Sequence, residues 1–321
     1  ITDERLLRVF TFQALYVGVP PKKALAAYAV IAYMDTVSGV YFPRGGMRSV
    51  PDAMAAAASD AGVDFRYNAT VTELERSGSR VLAVRTDTGE RFPADAVILT
   101  TELPDTYRLL GHTPRRVLSL RPAPSAVVAH IGSRAPEPAA DQSHHTILFG
   151  DAWQSTFHDI IDEGRPMADP SLLVTRPTAG DPSLAPAGRD LLYVLAPAPN
   201  TDVGHQDWDV QRDGYVGHML DTVRTRLPHL GDDAEVLNVV TPRDWARQGM
   251  AAGTPFALAH TFAQTGPFRP ANTVRGIDNA VLAGSSTVPG VGIPTAIVSG
   301  RLAADRITGV VTDVRPRTVP K

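Results

Sequence analysis

At 321 residues, with 43% hydrophobic content and a formal net charge of −3, the chain can bury two sizeable cores and is too weakly charged to hold nucleic acid by bulk electrostatics. It has no cysteine, which excludes disulfides, thiolate catalysis and thiolate metal sites and suits a reducing cytoplasm. Lysine is confined to positions 22, 23 and 321; the arginine bias accompanies abundant Ala, Pro and Gly, as base composition would produce, and is also the residue choice for clamping phosphate or carboxylate.

No signal peptide is visible, and the chain opens on Ile1, as expected for an internal or processed start. Residues 1–40 read as helical, with Leu6, Leu7, Phe10, Ala14 and Leu15 at helical spacing and a break at Pro20. The uncharged run from Ala24 to Met34 is too short to span a bilayer, which needs ~20 residues. It reads as a core helix or as a face touching lipid.

A loop at 41–47 contains Gly45 and Gly46. Ser49 is positioned to cap the next helix, Pro51 falls in its first turn and Gly62 ends it. Strands are expected at Val63 to Tyr67 and Ala69 to Leu74. Val81 to Thr86 and Arg91 to Phe92 flank Asp87-Thr88-Gly89, a hairpin signal. Ala96 to Leu99 reads as a buried strand. This helix, strand and meander order is that of the middle of a nucleotide-binding α/β domain.

The central region changes character. Ser125 to Ile131, Thr146 to Phe149, Leu172 to Thr175 and Leu191 to Leu195 are strand-like and separated by proline-rich loops. They predict a mostly antiparallel sheet in a second domain, with one long helix from Asp209 to Leu227. Trp153, Phe157, Trp208, Trp245, Phe256, Phe262 and Phe268 supply either ordinary core or an aromatic surface for an apolar ligand.

The most informative stretch is 279–307. Ala280 to Ala283 is an apolar run of the kind found in strands buried on both faces. Gly284, Gly290 and Gly292 let backbone approach a bulky group, and Pro294 suits the first turn of a helix that stops near Gly309. A small apolar stripe (Ala296, Ile297, Gly300, Ala303, Ile307) is expected to face the sheet. A helix N-terminus aimed at a glycine-lined crevice favours an anionic or electron-rich ligand.

Several chemistries are absent. There is no Gly-x-Ser-x-Gly elbow, no P-loop and no His-Glu-x-x-His. The nine histidines do not fall at zinc spacing, and His144-His145 lacks an acidic partner, so no metal is expected. Arg243-Asp244 is an adjacent pair that could serve proton transfer, or, as neighbouring opposite charges commonly are, a surface feature. No Gly-x-Gly-x-x-Gly follows an N-terminal strand, so the later parts of a dinucleotide fold are present without its first βαβ unit.

In order along the chain, Val40-Tyr41-Phe42-Pro43-Arg44-Gly45-Gly46-Met47, Asn68-Ala69-Thr70-Val71, His144 to Gly150, Asp181 to Pro186, Tyr193 to Pro199, Thr241 to Trp245, Thr265 to Pro270 and the 279–307 segment resemble the bacterial-type phytoene desaturases. These are carotenoid-forming flavoproteins of the amine-oxidase-like superfamily, and the match is to their C-terminal three-fifths. Thr100-Thr101-Glu102 stands where the family often has Asn-Ala-Asp, and Val288 where it has histidine.

The resemblance implies an α/β fold, an incomplete FAD-binding Rossmann-like domain with a second α+β substrate domain on a mostly antiparallel sheet. It divides the chain into 1–40 (helical, substrate- or membrane-facing), 41–115 and 273–312 (FAD-binding), 116–272 (substrate) and a tail, 313–321. It implies FAD held by Gly45, Gly46, Val71, Gly284, Ser285, Thr287, Gly292, Ile293 and Pro294, and FAD-dependent desaturation of a C40 polyene at a cytoplasmic membrane surface. No catalytic base is assignable. Alternatives are a flavin-dependent polyene isomerase, saturase or amine oxidase, and a non-catalytic fragment that binds an apolar lipid.

Overall fold

The computed structural model describes residues 2–34, 37, 39–135, 143–227 and 233–309; the tail 313–321 lies outside the described residues. Its helices are α1 (Glu4–Thr11), α2 (Ala29–Tyr33), α3 (Ser49–Asp60), α4 (Leu103–Leu109), α5 (Arg115–Leu118), α6 (Trp153–His158), α7 (Trp208–Arg226), α8 (Pro242–Arg247) and α9 (Ile293–Thr308). The strands are β1 (Val71–Ser77), β2 (Arg80–Thr86), β3 (Arg91–Pro93), β4 (Val97–Leu99), β5 (Ser125–Arg134), β6 (His145–Leu148), β7 (Leu172–Thr175), β8 (Arg189–Ala198), β9 (Glu235–Val240) and β10 (Ala280–Leu282). The described residues fall into two units, one within Ile1–Arg66 and Pro122–Thr261, the other within Tyr67–Arg121 and Phe262–Lys321.

The first unit is built on an antiparallel sheet of order β6-β7-β8-β5-β9. Strand side chains alternate between faces, so Val127, Ala129 and Ile131 of β5 and Leu192, Val194 and Ala196 of β8 all point to one side. There they are buried against Trp208, Val216, Met219, Leu220 and Val223 of α7. Positions 216, 219, 220 and 223 form the i, i+3, i+4, i+7 stripe of an amphipathic helix. On the opposite face Ala126, Val128 and Val240 meet Tyr193, Leu195, Trp245 and Phe256.

Asp190 is buried in β8 and would be costly unpaired. Arg176 Nε donates to its Oδ2 at 2.6 Å, and the Thr178 hydroxyl donates to Oδ1.

The second unit holds the antiparallel sheet β1-β2-β3 and the parallel pair β10-β4. Gly89, with φ +83°, supplies the left-handed residue of the expected hairpin turn. One side chain joins the two sheets: Asn279 Nδ2 donates to Val81 O and Asp95 O at 2.8 Å each, and its Oδ1 accepts from Val81 N at 2.8 Å.

The sequence reading holds for the α/β class, the hairpin, the antiparallel sheet, α7 and the β10–loop–α9 segment. Elsewhere the structure differs. Val63 to Tyr67 joins no sheet among the described residues; alternation marks a strand, but a ladder also needs a neighbour. Ala24 to Met34 is not one helix, because Ala24 and Leu25 are extended (ψ 134° and 136°) and only α2 is α-helical within it. Ser49 is the first residue of α3 rather than its cap, and its hydroxyl turns back to Gly46 O at 2.7 Å. In β4, Ile98 is 42% exposed, so that strand is not buried on both faces. β9 escaped the sequence reading because Glu235 and Asn238 dilute its apolar pattern.

Candidate functional site

Strands β4 and β10 run parallel, so their carboxyl ends open in the same direction, where open α/β sheets place ligands. Ala283 N donates to Leu99 O at 3.0 Å and prolongs the pairing by one residue. The loop Gly284 to Gly292 then leads into α9.

The loop's path depends on glycine. Gly284, Gly290 and Gly292 have φ of +125°, +147° and +117°, values that side-chain-bearing residues rarely adopt. A Cβ placed on Gly284 would meet nothing nearer than Thr100 O at 3.9 Å, so the space beside that backbone is open. Gly292 is the N-cap of α9 and gives no side-chain cap; Ala296 N donates to its carbonyl at 2.8 Å. Pro294 lies in the first turn, where a missing N–H costs nothing. The amides of the first turn, with their share of the helix dipole, face outward from a stretch where Gly292, Ile293 and Pro294 are exposed.

A buried polar web holds this loop. Ser299 of α9 is fully buried, and its Oγ accepts from Gly284 N at 3.1 Å and from Asn272 Nδ2 at 3.2 Å. It also shares a hydrogen bond of 2.9 Å with the Thr287 hydroxyl, which itself lies 2.9 Å from Gly284 O. Asn272 Nδ2 reaches Leu282 O at 2.9 Å as well. From below, buried Arg269 donates through Nε to Thr287 O at 3.1 Å and through Nη2 to Ser285 O at 2.5 Å. A guanidinium spread over two loop carbonyls fixes loop shape better than a single point donor could.

At the carboxyl end of β4, Glu102 accepts from the Ser286 hydroxyl at 3.2 Å. Burial pushes the Glu102 carboxyl above the ordinary range; the Ser286 hydrogen bond opposes this and Asp105 adds to it. Burial thus disfavours the charged form of the carboxyl at the loop's border.

Of the residues singled out in sequence, Gly284, Ser285, Thr287, Gly292, Ile293 and Pro294 come together in this one loop and helix start. The Thr287 side chain is spent within the loop. Val71 belongs to the same unit, half-buried in β1 and paired with Thr86. Gly45 and Gly46 belong to the other unit, in a turn with φ +81° and +86° whose Gly45 N donates to Asp181 Oδ2 at 2.8 Å.

Sequence reading missed Glu102, Arg269, Asn272 and Ser299. Ser299 carried a usable signal, since it lies four residues before Ala303 on the face expected to be buried. That face proves narrower than the predicted stripe: Ser299 and Ala303 are buried, while Ile297 and Ile307 are exposed. Trp153, Phe157 and Trp208 are core residues rather than ligand surface. Asp244 is the partner of Thr241 in a capping box, and Arg243 reaches Asp209. Among the described residues, no three His, Cys, Asp or Glu side chains gather as a metal site.

The chain matches the flavin-containing amine oxidoreductases over residues 1–308. It is 60% identical over 323 residues to the phytoene dehydrogenase of Streptomyces griseus, covering 100% of this chain and 63% of that protein. It is 37% identical over 319 residues to a zeta-carotene-forming phytoene desaturase of Myxococcus xanthus, covering 95% of this chain and 60% of the relative. The chain thus spans about three-fifths of the length of these curated relatives. Among solved structures it resembles an oxidoreductase from Methanosarcina mazei with a TM-score of 0.66 at 16% identity, over 95% of this chain and 65% of that one. At that identity the likeness is one of fold.

Proposed function

The chain belongs to the flavin-containing amine oxidoreductase family, and from that premise we propose that it is the flavin-loop and substrate-sheet portion of an FAD-dependent desaturase of C40 polyenes, acting on phytoene or a partly desaturated product. FAD is the family's cofactor. The observation that carries the reading is the uncapped start of α9 beside the open backbone of Gly284, within a chain 60% identical throughout to a phytoene dehydrogenase.

When bound, FAD would supply the hydride-accepting chemistry that such a desaturation needs. The chain's own residues position and polarise. The first-turn amides of α9 would stabilise negative charge on a flavin held at the loop. Gly284 and Ser285 would hold the cofactor, and Arg269 and Asn272 keep the loop backbone in place through its carbonyls. Val71, in the same unit, is a further proposed cofactor contact; Gly45 and Gly46, in the other unit, are proposed to hold FAD on the family resemblance alone. The antiparallel sheet of the first unit serves the apolar substrate; the roles given to 1–40, 41–115, 116–272 and 273–312 remain proposals, and 41–66 falls in the first unit while 262–272 falls in the second.

Supply of so insoluble a substrate favours a membrane surface. Leu6, Val9 and Phe10 share one face of α1 and are each more than half exposed. No helix among the described residues is long and apolar enough to cross a membrane. We assign a peripheral position on the cytoplasmic side.

The test is direct. The protein, supplied with FAD, should retain a flavin with absorbance near ~450 nm. Anaerobic addition of phytoene should bleach it, with a newly conjugated polyene recovered by chromatography. Retained flavin that bleaches with an amine and ignores phytoene would refute the desaturase assignment.

A further inference from the structure

Two segments of the second unit, far apart in sequence, are tied into one ledge. The Arg121 amide donates to Gln264 Oε1 at 2.7 Å, and Gln264 Nε2 donates back to Arg121 O at 3.0 Å. Gln264 is buried, so this reciprocal pair is shielded from water and fixes 262–268 beside the chain that follows α5. Arg116 adds a third tie, its Nη2 donating to Phe268 O. What the ledge shows to solvent is apolar: Leu118 is 76% exposed, Phe262 69% and Phe268 44%. The two phenyl rings lie with centroids 5.5 Å apart and form one patch rather than scattered surface residues.

The charge around this patch is uncompensated. Residues 106–121 and 262–277 hold six arginines and no Asp or Glu, in a chain whose net charge is −3. Arg115, Arg116 and Arg121 are exposed, and among the described residues they make no salt bridge, whereas Arg108 pairs with Asp105 at 3.3 Å. Arg115 and Leu118 stand three apart on α5, so charge and hydrocarbon share a face. Guanidinium groups bordering exposed phenyl and leucyl side chains match an interface in which anionic phosphates overlie hydrocarbon.

We propose that this ledge seats the second unit on the anionic leaflet of a membrane, with Leu118, Phe262 and Phe268 entering the acyl boundary and Arg115, Arg116 and Arg121 meeting lipid phosphates. The proposal rests on the peripheral reading above and goes beyond it, adding a contact in the second unit and a preference for lipid charge. α1 supplies no such preference, because Arg5 is paired with Asp3 and Arg8 with Glu4. Each arginine near an anionic surface is worth about five-fold in affinity, so the three together predict a preference on the order of a hundred-fold at low salt.

The test uses the full chain and vesicles of phosphatidylcholine, alone or with about 30 mol% phosphatidylglycerol. The wild type should float with the anionic vesicles at least ~10-fold more tightly than with the neutral ones, and ~1 M salt should abolish the difference. Because the chain has no cysteine, one introduced thiol carries one environment-sensitive dye. A dye on Leu118→Cys should shift to the blue on anionic vesicles and be quenched by brominated acyl chains, while one on Thr88→Cys, exposed in the hairpin turn of the same unit, should do neither. Replacing Arg115, Arg116 and Arg121 together by glutamine, with folding checked by circular dichroism, should bring the two affinities within about three-fold.

A dye on Leu6→Cys separates this proposal from the reading beneath it. If that dye enters the bilayer and the one on Leu118→Cys does not, the ledge is overturned and the peripheral reading stands. If the protein floats with neither vesicle, both fall. Equal wild-type affinities overturn the charge preference without recourse to any variant. A Leu118→Cys signal that follows protein concentration in the absence of lipid would assign the ledge to a second copy of the chain and overturn the proposal as well.

Discussion

The Ser286 hydroxyl donates to Oε2 of Glu102 at 3.2 Å, fastening the glycine loop to the carboxyl end of β4. Burial, the dominant influence, raises the Glu102 pKa, so the folded protein holds this proton more firmly than the unfolded chain does. The stability gained is full below the unfolded carboxylate value and is lost as pH rises through the folded one. Thermal melts in steps upward from the ordinary glutamate range should show a declining midpoint, and Glu102→Gln should flatten that decline. An unchanged slope in the variant would remove Glu102 from the account.

Gly284→Ala and Gly292→Ala should each cost about 1–3 kcal/mol, because alanine is strained at their positive φ. At Gly284 the penalty is one of backbone alone, since the added methyl has room. Both should also weaken FAD binding, measured by equilibrium dialysis, by more than their loss of stability predicts. Variants that bind FAD normally would show that the loop's path does not serve the cofactor.

Asn272 and Ser299 act through one web. Replacing Asn272 with alanine leaves Leu282 O and Ser299 Oγ each short of a partner and should destabilise by about 1–3 kcal/mol in urea titrations. In a double-mutant cycle with Ser299→Ala the pair should couple by roughly 0.5–3 kcal/mol. Additive losses would separate them.

In the other unit, Asp190→Asn should cost about 3–5 kcal/mol, since it leaves the Arg176 cation buried without its carboxylate. Replacing Arg176 and Asp190 together by apolar residues should cost much less. Equal losses in the single and double variants would argue against ion pairing as the cause.

Local signals carried much of this fold. The Asp87-Thr88-Gly89 turn, α7 and α9 between Pro294 and Gly309 each combine an apolar period with a chemical stop. The glycines at 284, 290 and 292 were legible because few other residues tolerate such backbone. What stayed hidden depends on tertiary partners. Asn272 and Ser299 are ordinary polar residues until the loop folds over them, and the Glu102–Ser286 bond spans 184 residues. The β5–β8 register, which sets His130 opposite Tyr193, is specified by no local pattern. Val63 to Tyr67 shows the reverse, a strand-like pattern with no partner to complete it.

Asn279 sets an order on assembly. The Val81 amide, at the margin of the early hairpin, finds its acceptor on a side chain 198 positions downstream. During synthesis the hairpin therefore emerges long before that amide can be satisfied, which happens only when the asparagine preceding β10 arrives. Val97 N donates to the backbone oxygen of the same asparagine, so deuterium uptake at Val81 and Val97 should report a single opening event, the release of β10.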